Sequence, residues 1–375
     1  MTSPANAKTV VVIQLSGGND ALNTVIPYNN EHYYDLRPQV NISQDNVLKI
    51  NDELGFNPSM APIKRLWDEG NVAVINGIGY PSPNRSHFRS MDVWHTAEPD
   101  TISNEGWLGR AIRQIDPDGE NVITGVNFGR GLPRALYAKD VPVASVGTLE
   151  NYGLMTDMKN EAARNLALEA FSQMYGGSGK DTIAQFISQT GLDALKGADI
   201  LRAAPRQYSS TVEYAHTPIA QNLKSISQVM SADLGTRVFY TQHGSFDTHS
   251  GELSAHSKLW QDVSEAVGDF TDDLKEHGQL DDTLILMFSE FGRRIKDNGA
   301  GTDHGSGGSA FVIGGAVNGG TYGEFPSLRS EDQIEGDMRF NNDFRITYST
   351  IADRWLSLDP VHIANGTFEQ FDFVD

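Results

Sequence analysis

Near the N-terminus, Thr9–Leu15 (TVVVIQL) is a run of almost continuously apolar, β-branched residues. Such a run has no polar face to turn towards water, so it predicts a strand buried on both sides. The same character recurs at Val72–Ile78, Arg237–Thr241, Thr283–Phe288 and Ala310–Ile313, and more weakly at Val122–Val126 and Val143–Val146. Between these runs, apolar residues recur at three- and four-residue spacing over Ala61–Glu69, Asn160–Tyr175, Thr182–Leu195, Thr217–Asp233 and Ser254–His277, which predicts helices. Strands alternating with helices predict an α/β fold with a mainly parallel central sheet sandwiched by helices. The 375 residues are read as a single domain, 1–375, with a mostly helical insertion or cap at about 150–235.

Charge narrows the function classes. With 29 basic and 49 acidic residues the net charge is −20, which argues against nucleic acid and against anionic membrane surfaces, since both need a basic face. The absence of cysteine excludes disulfides, thiolate metal sites and thiol nucleophiles. No apolar run approaches the roughly 20 residues of a membrane span, so no membrane insertion is expected. The start, Met1–Lys8, has neither the basic nor the apolar segment of a secretory signal. The expectation is a cytoplasmic protein, or an exported one if the chain has been trimmed.

In a parallel sheet, ligands sit at the C-terminal ends of the strands, and the notable polar residues of this chain fall there. Gly244-Ser245-Phe246-Asp247-Thr248-His249 and Ser289-Glu290-Phe291-Gly292-Arg293 each follow a strand candidate, and Thr302-Asp303-His304-Gly305 precedes one. Imidazole together with carboxylate suits zinc or manganese better than magnesium or calcium. A lone loop His or Asp is more often a solvated or capping residue, but three such clusters at strand ends favour a metal or catalytic site. Arg85-Ser86-His87-Phe88-Arg89 follows Val72–Ile78 at an expected helix start. There a serine flanked by cations could be an anion-binding nucleophile, or simply an N-cap beside surface arginines. Gly17-Gly18-Asn19-Asp20 and Gly176-Gly177-Ser178-Gly179-Lys180 lack the context of a phosphate loop, and no GxSxG elbow is present.

Taken in order, VVIQLSGGNDALNTVIPY, GYPSPNRSHFRSMDVWHTA, GWLGR, GSFDTH, FSEFGRRIKDNGAGTDHG and FVIGGAVNGGTYGEFPSL resemble a bacterial family of undefined activity, DUF1501, grouped with alkaline phosphatases and sulfatases. The resemblance implies an alkaline phosphatase-like fold and export in relatives that carry a leader. It also implies a divalent metal in one tight site, with a second site weak or absent. Asp247, His249 and His304 match the first metal's ligands. At the second, Ser16 stands where an Asp is usual, with Asp20 as its stand-in, Glu290 keeps a carboxylate, and Phe291 replaces an imidazole.

The reading is a metal-dependent hydrolase acting on a small anionic ester of phosphate or sulfate. Ser86 is the expected nucleophile with Ser82 in reserve, His87 acts beside it, and Arg85, Arg89 and Arg293 hold the substrate. The alternatives are a non-catalytic metal- or ligand-binding relative, and a mutase or transferase using the same chemistry.

Overall fold

The computed structural model describes residues 7–149 and 204–375 without interruption, and scattered positions between them. Nine described strands form one sheet: β1 (Thr9–Leu15), β5 (Val72–Gly79), β6 (Gly125–Phe128), β7 (Ala144–Val146), β8 (Val238–His243), β9 (Thr283–Phe288), β10 (Gly308–Ile313), β11 (Gly320–Tyr322) and β12 (Asn342–Asp343). A smaller antiparallel sheet holds β2 (Val25–Ile26), β3 (Leu48–Lys49) and β4 (Gly55–Phe56). The order in the large sheet is β11-β5-β10-β9-β1-β8-β6-β7, with β12 also on β5. Among the described strands β10 alone runs against the rest, pairing antiparallel with β5 and β9.

The side chains of β1 show why the sheet must be covered twice. Val11, Ile13 and Leu15 join a core on one face with Trp260, Val263 and Phe270 of the helix Glu252–Glu276 and Leu223 of the helix Pro218–Ser231. Val10 and Val12 join a core on the other face with Trp94 of the helix His87–Thr96, Trp107 of the helix Trp107–Ile115 and Tyr348 of the helix Phe344–Thr350. Alternate residues of a strand point to opposite faces, so an unbroken apolar run feeds both cores. Each large side chain buried this way contributes about 1.5–3 kcal/mol. Trp94 stacks on Phe288 at 4.8 Å and on Phe344 at 4.5 Å, tying one helical layer to β9.

Several strand bounds shift from expectation, Val72–Ile78, Val143–Val146 and Arg237–Thr241 becoming Val72–Gly79, Ala144–Val146 and Val238–His243. The strand expected at Val122–Val126 begins only at Gly125, because Asn121 closes a turn first: its side chain accepts from the Ile123 N–H and its carbonyl from the Thr124 N–H. Ala310–Ile313 extends back to Gly308, where its register on β5 shifts. The helices expected over 160–175 and 182–195 lie outside the continuously described residues. Within the rest of the segment expected as an insertion or cap, Ala204–Gln207 and Pro218–Ser231 are helical. Among the described residues no helix is long and apolar enough to cross a membrane.

The topology positions the site. β1, β5, β8 and β9 run parallel, so their C-terminal ends share one edge of the sheet. β10 runs the other way, so the segment before it, carrying His304, arrives at that same edge.

Candidate metal centre

Three loops meet at this edge. The loop after β8 turns sharply: Ser245 takes a left-handed φ of 76°, strained for a residue with a side chain, and buried Phe246 anchors the turn. The Phe246 N–H donates to the Ser16 carbonyl, stapling this loop to the one after β1. Gly17, at φ 124°, lies so close that a Cβ would stand 2.5 Å from the Asp247 nitrogen. Asp247 and His249 follow in the same tight loop, where the Thr248 N–H donates to the Phe246 carbonyl and the His249 N–H to the Asp247 carbonyl, and both face the site. The segment 303–306 pairs with 292–294 and delivers His304.

The geometry is convergent. His304 Nε2 lies 3.0 Å from Asp247 Oδ1, and His249 Nε2 also lies 3.0 Å from that oxygen. His87, the first residue of its helix, brings Nε2 to 3.6 Å from Asp247 Oδ2. One ligand atom each of His87, Asp247 and His304 lie within 4.8 Å of one another.

The other nitrogen of each imidazole is held by an oxygen. His87 Nδ1 donates to Glu290 Oε1 at 2.7 Å, His304 Nδ1 to the Arg85 carbonyl at 2.8 Å, and His249 Nδ1 to Asp303 Oδ1 at 3.1 Å. Acceptors at all three Nδ1 atoms place the protons there, so three Nε2 lone pairs face Asp247. His87 Nε2 is buried and has no hydrogen-bond partner. An orphaned buried lone pair beside two further imidazoles and an ionised carboxylate fits a zinc- or manganese-type ion.

Electrostatics agree. Burial pushes the Asp247 carboxyl up, but the hydrogen bond from Arg293 and the charge of its guanidinium hold it down at about 2. The hydrogen bond to Glu290 raises His87 above its ordinary value, against its partial burial.

Several expected site residues stand elsewhere. Asp20 does not join the cluster: it is fully buried in a two-pronged pair with Arg37, at 2.5 and 2.9 Å. Glu290 is one step behind it, its oxygens accepting from His87, the Gly17 N–H and Ser289. The arginines expected to hold an anion are committed to other groups. Arg85 pairs with Asp337 at 2.8 Å, and Arg89 donates to the carbonyls of Glu98, Pro99 and Thr101. Arg293 is buried and donates to the carbonyls of Gly17, Gly18, Phe246 and Thr302 and to Asp247. It clamps the loops rather than facing solvent.

Ser86 occupies the N-cap position, but its side chain makes no capping bond and is exposed. Neither Ser86 nor Ser82 lines the cavity of about 490 Å³ beside the cluster, which is bordered by Ser16, His87, Phe88, Met91, Asp247 and Glu290 among others. Phe291, where an imidazole is usual, sets its ring 4.9 Å from that of His87 and 5.0 Å from that of His304. Sequence reasoning placed His87 beside the expected nucleophile rather than with Asp247, His249 and His304, because it stands far from them in the chain. It also passed over Ser16 as a cavity hydroxyl.

A carboxylate and three oriented imidazoles at the C-terminal edge of a mostly parallel sheet form a candidate metal site. The chain matches the family described as a protein of unknown function, DUF1501, over residues 7–338, and belongs to it. No curated protein matches the sequence.

Among solved structures, the chain is similar to the PsFucS1 sulfatase from Pseudoalteromonas sp. at 12% identity and a TM-score of 0.44, covering 98% of this chain and 71% of that one. It is also similar to the C-terminal periplasmic domain of EcEptC from Escherichia coli, in complex with Zn, at 8% identity and a TM-score of 0.40, covering 84% and 74%. A third similar structure is an alkaline phosphatase superfamily protein from Vibrio parahaemolyticus, at 10% identity and a TM-score of 0.34, covering 85% and 63%.

Proposed function

We propose that this protein is a metal-dependent hydrolase of phosphate or sulfate esters, with one divalent ion held by His87, Asp247, His249 and His304. The observation that carries this reading is the convergence of three Nε2 lone pairs on Asp247, each imidazole held at Nδ1 by an oxygen. A bound zinc or manganese ion would supply Lewis-acid polarisation of an ester oxygen. The chain's own part is to hold each imidazole at Nδ1 through Glu290, the Arg85 carbonyl and Asp303, so that each Nε2 points at the site, and to keep Asp247 ionised beside Arg293. Arg293 also fixes the loop carrying Asp247 against the loops carrying Gly17 and Thr302. The Phe291 ring takes space next to two of the ligands, which favours one ion over two.

A second reading, a metal-binding protein without turnover, is favoured by a specific observation. The side chains expected to carry catalysis, those of Arg85, Arg89 and Ser86, are paired elsewhere or exposed outside the cavity. Elemental analysis of the purified protein, followed by hydrolysis assays with nitrophenyl phosphate, bis(nitrophenyl) phosphate and nitrophenyl sulfate, separates the two. Bound metal with turnover that His304→Ala abolishes supports the hydrolase; bound metal without turnover on any ester supports the binding protein. A metal-free protein defeats both.

A further inference from the structure

The chemistry of the cavity wall bears on which ester could enter. Among the described residues no Lys or Arg lines it. The carboxylates at and behind the imidazoles, those of Asp247, Glu290 and Asp303, outnumber the one guanidinium in contact with them, that of Arg293. A divalent ion would balance that excess and leave no surplus positive charge. A doubly charged ester would therefore bring more negative charge than the site can answer.

A neutral donor stands where a cation is missing. Ser16 lines the cavity at the end of β1, and its Oγ accepts a hydrogen bond from Gln14 Nε2 at 2.6 Å. Gln14 is buried and its amide is oriented from behind: Oε1 accepts from the Tyr240 hydroxyl and lies 2.9 Å from His95 Nε2. With its oxygen taken by a fixed N–H, the Ser16 hydroxyl has its own proton free for the cavity. On the rim, Phe88 is 88% exposed, with Met91 beside it on the same helix. An exposed aromatic ring at a cavity mouth suits an organic group that can lie against it.

We infer that the cavity selects singly charged esters, a sulfate monoester or a phosphodiester, over doubly charged phosphate monoesters. The Ser16 hydroxyl donates to a non-bridging oxygen, and Phe88 packs on the organic group. This rests on the metal-centre reading above.

The test uses inert anions on the zinc-loaded full chain, at alkaline pH where phenylphosphonate is a dianion, with affinities measured by calorimetry and metal content measured on the same sample. Benzenesulfonate and the monomethyl ester of phenylphosphonate, both monoanions, are compared with phenylphosphonate. The expected result is tighter binding of at least one monoanion than of the dianion. Its affinity should fall about tenfold in Ser16→Ala, the loss of one hydrogen bond to a charged group, with metal content unchanged. Phe88→Ala should weaken it as well. A preference for benzenesulfonate assigns the sulfate monoester, and a preference for the phosphonate ester assigns the phosphodiester. Equal or tighter binding of the dianion, no binding of either monoanion, or unchanged affinity in Ser16→Ala with metal in place overturns this inference alone. A protein that takes up no metal overturns it together with the reading on which it rests.

Discussion

The Nε2 atoms of His249 and His304 face each other at 3.0 Å, and each lies 3.0 Å from the same oxygen of Asp247. With their Nδ1 protons engaged by Asp303 and the Arg85 carbonyl, the two nitrogens meet lone pair to lone pair, an arrangement that a shared cation relieves. His304→Ala should therefore abolish tight binding of a divalent ion. Glu290→Gln, which weakens the hold on His87 Nδ1, should lower affinity by about 10–100-fold. Competition titration with a chromophoric chelator measures both; unchanged affinity in His304→Ala would remove the assignment.

Asp20 and Arg37 are both fully buried and paired with each other. Asp20→Ala strands the guanidinium in the interior, which should cost about 3–5 kcal/mol. Metal content of the protein that remains folded should be unaffected. Chemical denaturation and elemental analysis report the two effects separately, and a stable variant lacking metal would return Asp20 to the ligand set.

Arg293 holds four carbonyls and Asp247 through its planar fork. A lysine cannot reproduce that fork. Arg293→Lys should destabilise the protein by about 2–4 kcal/mol and loosen the metal site with it, since both depend on the same three loops. A melting temperature and metal affinity equal to those of the parent would show that the clamp is dispensable.

Glu252 lies beside Asp20, and burial, followed by the Asp20 charge, pushes its carboxyl up to about 9. The folded protein thus keeps a proton that the unfolded chain loses near its ordinary value of about 4.3. Across pH 7 to about 9 the native state binds the extra proton, so stability should fall as pH rises. His256, held neutral by burial down to about 4, titrates below that window. In Glu252→Gln the slope should flatten, as followed by thermal unfolding at several pH values; an unchanged slope would assign it to another group.

Ser86 is exposed, makes no capping bond and does not line the cavity. Ser86→Ala should change stability by less than about 0.5 kcal/mol and leave any ester hydrolysis intact. Loss of turnover in a fully folded Ser86→Ala protein would restore it as the nucleophile.

How much could be read from the chain alone follows from the range of each signal. Thr9–Leu15 and Thr283–Phe288 have the bounds that their apolar runs predict, because a strand buried on both faces leaves an unbroken local signature. The loops carrying Asp247, His249 and His304 stand at strand ends in the sequence too, and the family resemblance is what groups the three as ligands of one metal. The direction of side chains was not. The sequence presents Arg85, Arg89 and Arg293 as substrate-holding cations and Asp20 as a stand-in ligand. The fold gives Arg85 to Asp337, Arg89 to the carbonyls of Glu98, Pro99 and Thr101, Arg293 to loop carbonyls and Asp247, and Asp20 to Arg37. Likewise His87 joins His304 only because β10 runs against its neighbours and brings position 304 to the start of the helix at 87. Strand and helix character follow from neighbours within a few residues, so the chain by itself determined them. Which charges meet, and which imidazole nitrogens are left free, depends on contacts between residues far apart in the chain, and only the tertiary structure decided those.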